Sequence, residues 1–173
     1  MEFALHYRGE LRPNGKAAHK HSVRRKFHKQ MKRLFTEKDS LLQYLPKDQI
    51  DWATPFGAFN FVSLVCERYK LLAELEITLL RPQAPDGIRH GGDIDNRLKT
   101  LFDAMRIPQS EQEVPSDEKP DAEETPLFYC VLEDDRRITK VTIHTERLWE
   151  PANSADEVEL IMLVRPVRMY GFI

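Results

Sequence analysis

The sequence predicts an α+β fold of mixed α/β layers, in which one mixed β-sheet carries two main helices. Residues 72–80 and 138–149 alternate apolar and polar side chains, the period of a half-buried strand. Residues 22–35 and 94–105 instead repeat their apolar positions at helical spacing. The elements also follow in the order strand, helix, strand, strand, helix, strand, strand, which is not the strict alternation of a doubly wound sheet. At 173 residues a single domain spanning 1–173 is expected, large enough to bury its own core.

Residues 1–8 open the chain as a strand with Phe3, Leu5 and Tyr7 on one face, and Pro13-Asn14-Gly15 marks a turn. Ser22 is a plausible N-cap for a helix whose apolar positions are Val23, Phe27, Met31, Leu34 and Phe35. A short helix and loop are expected over 39–52, stopped by Pro46. Residues 55–66 read as a strand, or as a strand with a bulge near Gly57. Ala73, Leu75, Ile77 and Leu79 form the buried face of the next strand, and the loop 81–90 follows. Ile94, Leu98, Leu101, Phe102 and Met105 then make one apolar helical stripe. Residues 108–126, rich in Pro, Glu, Asp and Ser, read as a flexible acidic insertion outside the core. The apolar run 127–132 leads to Glu133-Asp134-Asp135, and strands over 138–149 and 157–167 complete the sheet.

Cys66 and Cys130 sit singly in apolar runs and read as small buried hydrophobes of a reducing compartment. The absence of a long apolar run and of a signal-like N-terminus predicts a cytoplasmic protein with no membrane partner. Charge is informative in its distribution. Between Arg12 and Arg33 all nine ionised side chains are basic, whereas Glu111 to Glu124 carries seven acids against Lys119. Such a helix needs something negative opposite, so Lys20, Arg24, Arg25, Lys29, Lys32 and Arg33 are expected to contact a DNA phosphate backbone.

The chemistry points to the segment from Gly91 to Met105. Asp93 and Asp95 stand at a helix start behind two glycines, with Lys99 one turn after Asp95 and Asp103 one turn further. Paired carboxylates are ligands for Mg²⁺, which would activate water and neutralise a phosphate, with Mn²⁺ as a plausible substitute. The cluster Glu133-Asp134-Asp135 offers a third ligand, and Lys99 offers a point cation for the phosphate. Asp103 is expected to pair with Lys99 when no substrate is present. His90 reads as a solvated loop histidine. The same acids also fit plain helix caps and surface pairs.

Asp93-Ile94-Asp95-Asn96-Arg97-Leu98-Lys99 with Asp103-Ala104, followed by Glu133-Asp134-Asp135-Arg136-Arg137-Ile138, resembles the two motifs of RusA-type Holliday-junction resolvases over roughly residues 70–165. The resemblance implies a homodimer that resolves four-way or otherwise branched DNA by Mg²⁺-dependent phosphodiester hydrolysis. It implies Asp93, Asp95 and Asp135 as metal ligands, Lys99 as the catalytic lysine, and Asn96 and Asp134 as supporting groups. A non-catalytic nucleic-acid-binding or adaptor protein on the same fold is the alternative. The chain departs from the family in its long acidic insertion. This stretch must point away from DNA, move on binding, or compete for the basic helix as a mimic of phosphate.

Overall fold

A computed structural model describes residues 2–37, 49–82 and 94–169; side chains are described for all of these except 49 and 50. The α+β class and the two principal helices are as expected, but the seven strands divide between two mixed sheets. The first has the order β1 (Phe3–Glu10), β7 (Glu157–Arg168), β4 (Leu71–Arg81), β6 (Ile138–Arg147); β4 and β6 are parallel and the other pairs antiparallel. The second has the order β2 (Thr54–Phe56), β3 (Phe59–Val65), β5 (Phe128–Leu132), with β3 and β5 parallel. The helices are α1 (Ala17–Glu37) and α2 (Ile94–Met105).

Period-two alternation explains β4, where Ala73, Leu75, Ile77 and Leu79 are all buried. They join Leu5 and Tyr7 of β1, Leu160 and Met162 of β7, and Phe27 and Met31 of α1 in the main core. A satellite core under the second sheet gathers Phe59, Phe61, Phe128, Cys130, Ile107 and Val114. Both cysteines are free and buried, and burial pushes the Cys130 thiol up to about 12.

Two local expectations change. Helix α1 starts at Ala17, so Ser22 lies inside it and is not the cap. Its entry is fixed from α2, because Gly15 N–H donates to Thr100 Oγ1 at 2.9 Å and Asn14 N–H to the Asn96 carbonyl at 3.3 Å. A Cβ on Gly15 would stand 2.9 Å from Thr100 Cγ2, which is why only glycine permits this approach. The irregularity at Gly57 is a turn, not a bulge: φ of +58° lets Gly57-Ala58 reverse β2 into β3. The helix expected within 39–52 lies mostly outside the described residues, leaving a 3₁₀ turn at Gln49–Trp52.

The largest change concerns 108–126. It is a docked segment that contributes to the core, with Val114 buried beside Phe59 and Phe61 and Glu124 only 2% exposed. Arg106 ties its start through Glu113 at 2.9 Å. Asp121 Oδ1 accepts from the amides of Glu123 and Glu124 to close its final turn.

Candidate functional site

The first turn of α2 is anchored from below and open above. Arg97, 2% exposed, donates to the Leu11 carbonyl and reaches Asp156 Oδ1 at 2.8 Å. This buried guanidinium joins the helix start to the segment after β1 and to the residue before β7. Asp95 and Lys99 lie on the opposite, exposed flank, one turn apart. Asn96 is half-buried, and its carbonyl accepts from Asn14 N–H and Thr100 Oγ1. Asp93 and His90 lie outside the described residues.

Asp103 does not continue this flank as expected. It is 7% exposed and receives Lys20 Nζ at 2.6 Å and Arg106 Nη2 at 2.9 Å. Burial works to raise its pKa, but the Lys20 hydrogen bond and the Arg106 charge outweigh that and lower it. Its partners are therefore Lys20 and Arg106, while Lys99 makes no ion pair with a described residue.

The second acidic motif sits elsewhere. Strand β5 ends at Leu132, which forms a parallel bridge with Arg106 and accepts from Ile107 N–H at 2.9 Å. Residues 133–137 thus turn beside the C-terminal end of α2, and Ile138 pairs with Ala73 at the start of β4. Asp95 belongs to the other end of that helix. Twelve residues at 1.5 Å each make α2 about 18 Å long, well beyond what two carboxylates on one ion can span. No group of three His, Cys, Asp or Glu side chains suited to a metal occurs among the described residues. Helix α2 therefore stands between Asp95 and Asp135, and Asp93 lies outside the described residues.

Within that turn the acids have structural duties. Asp134 accepts from Arg136 N–H at 2.9 Å and pairs with its guanidinium at 3.0 Å, so that the arginine holds its carboxyl well below the usual range. Glu133 accepts from Glu67 N–H and Arg137. Asp135 is exposed.

The basic helix is also sorted by the structure. Arg24, expected on DNA, is 1% exposed; its Nε donates to the Arg106 carbonyl at 3.1 Å and its Nη2 to the Asp103 carbonyl at 2.8 Å. A cation there satisfies carbonyls at the negative end of the α2 dipole, so it is removed from the DNA set. The signal was present in the sequence: Arg24 lies three and seven residues before Phe27 and Met31, on the apolar stripe itself. Lys20 is held by Asp103. Arg25 and Lys32 face the acidic segment, and Lys29 and Arg33 are exposed.

The basic helix also buries two histidines, His21 and His28. His28 accepts Tyr129 N–H on Nδ1 at 2.8 Å and donates from Nε2 to the Glu123 carbonyl at 3.0 Å. His21 packs edge-on against Phe59 at 4.9 Å, and its Nε2 has no hydrogen-bond partner. Burial, then the charges of Arg24 and Arg25, push its pKa down to about 3. Both positions follow the stripe of Arg24, at offsets of three and four residues.

No helix among the described residues is long and apolar enough to cross a membrane. In comparison with known proteins, the chain matches no family model and no curated protein.

Proposed function

We propose that this protein is a Mg²⁺-dependent endonuclease that hydrolyses phosphodiesters in branched DNA, including four-way junctions. The observation that carries this reading is the first turn of α2. Asp95 and Lys99 stand exposed on one flank, and the competing acid Asp103 is buried and occupied by Lys20 and Arg106. The resemblance of the Asp93–Lys99 motif to RusA-type resolvases supports it.

Hard carboxylate oxygens at an exposed helix start fit Mg²⁺, which favours one or two carboxylates with its other positions left to water and phosphate. Asp93 and Asp95 would hold the ion, which would polarise the attacking water and supply positive charge for the phosphate. Lys99 then holds a non-bridging phosphate oxygen one turn along, and Asn96 supports the turn through its carbonyl. The positive end of the helix dipole favours the same anion. Asp135 follows the C-terminal end of α2, so a contribution from a second copy would suit a homodimer on a two-fold substrate.

The test is nicking of a synthetic four-way junction with Mg²⁺ or Mn²⁺. Asp95→Asn is expected to abolish cutting and retain binding. Junctions left intact after long incubation with either metal overturn the reading. The separation of Asp95 from Asp135, with Asp134 held by Arg136, favours one second reading: a nucleic-acid-binding protein without catalysis. Salt-dependent binding with no metal-dependent cleavage would identify it.

A further inference from the structure

The acidic segment and the basic helix meet side chain to side chain. Glu118 lies 3.1 Å from Arg25 Nη1 and Glu124 lies 3.0 Å from its Nε, while Nη2 donates to the Lys119 carbonyl at 2.7 Å. Seven residues further along α1, Lys32 Nζ pairs with the Glu123 carboxylate at 3.0 Å and donates to its carbonyl at 2.6 Å. His28, between them, bonds that same carbonyl. The neighbouring flank remains cationic. Lys29 and Arg33 are exposed and make no ion pair with a described residue. With Lys32, Thr36 and Glu123 they line an open groove of about 470 Å³.

The carboxylates are not held alike. Glu124 is nearly fully buried, and Val114 and the Arg106–Glu113 pair fix the other end of the segment. The side chain of Glu123 is 70% exposed and that of Glu118 is 37% exposed, so solvent screens both pairs and little holds them shut. The backbone of the segment is therefore anchored while two of its carboxylates are exchangeable.

We infer that residues 118–123 occupy part of a polyanion-binding face of α1, with the Glu118 and Glu123 carboxylates standing in for phosphates. A nucleic-acid backbone engages Lys29 and Arg33 and competes with these carboxylates for Arg25 and Lys32, which it reaches only in part. The inference rests on the nucleic-acid part of the proposed function and adds to it a built-in competitor that sets affinity.

The experiment measures binding of a random-sequence DNA duplex over a salt series, without divalent metal, for the wild type and for Glu118→Gln/Glu123→Gln. Removing the competitor frees two cations for phosphates at about 0.9 counterion each. The double variant is expected to bind about five- to tenfold more tightly at low salt, with a slope of log K against log salt steeper by about one to two. Lys29→Gln/Arg33→Gln should weaken binding in both backgrounds. Should the double variant fail to fold, Glu123→Gln alone, at the most exposed of these positions, is expected to steepen the slope by about one. Equal affinity and slope, or weaker binding by a folded variant, overturns the competitor while leaving the nucleic-acid reading intact. No binding by either protein overturns both.

Discussion

The two acidic turns of this chain are built in opposite senses. At the start of α2 the anchoring falls to Arg97, which reaches inward to Leu11 and Asp156 and leaves the Asp95 flank facing out. After β5 the carboxylates are themselves the anchors: Asp134 takes Arg136, and Glu133 takes Arg137 and the Glu67 amide. At the first turn an arginine carries the anchoring and Asp95 is exposed. An acid serving as the support is already neutralised. The difference shows that two acid motifs in the right order need not make one site, because an intervening helix sets how far apart they stand.

The sharpest way to break this contrast is to remove each acid and then mix the products. Asp95→Asn and Asp135→Asn are each expected to lower junction cleavage by at least about a hundredfold if both serve one site. For a site shared between copies, mixing the two inactive variants should restore about a quarter of wild-type activity: half the dimers are mixed and each carries one intact site. No recovery, with Asp135→Asn alone fully active, would confine the chemistry to the α2 end.

The anchoring itself predicts a smaller but clear effect. Arg97→Ala leaves the Leu11 carbonyl and Asp156 without their buried donor and opens a space under α2. A loss of about 3 kcal/mol in urea-unfolding stability is expected. Arg136→Ala, an exposed change at the other turn, is expected to leave the unfolding midpoint unmoved.

The effect absent at neutral pH concerns acid. His21 has its folded pKa pushed down to about 3, so below the ordinary value near 6.5 the unfolded chain binds the extra proton. Its contribution to stability is complete above that ordinary value and declines as pH falls toward about 3, by at most about 1.4 kcal/mol per pH unit. His21→Phe keeps a ring against Phe59 and Phe128 and should flatten the pH dependence of the unfolding midpoint by up to that slope.

Much of the fold is legible in the sequence because its signals are local. The alternation of Ala73 to Leu79 and the helical stripe from Ile94 to Met105 specify their own elements and buried faces. The exceptions are charges whose partners are remote in sequence. Its charge alone places Arg24 among the expected DNA contacts, yet the carbonyls it satisfies lie about eighty residues away. Composition places the acidic insertion outside the core, yet Val114 and Glu124 are buried by partners remote in sequence. The start of α2 was legible as an exposed acid–base flank, but the distance to Asp135 depends on the parallel bridge of Arg106 with Leu132.

The buried Cys130 gives the docked segment a chemical clock. Its thiol lies in β5 within the satellite core, beside Val114, and burial keeps it almost wholly protonated at neutral pH. Alkylating reagents reach it only when that core opens. If nucleic acid merely swings two carboxylates aside, the labelling rate stays unchanged on binding; if the whole segment lifts, the cysteine is exposed and the rate rises.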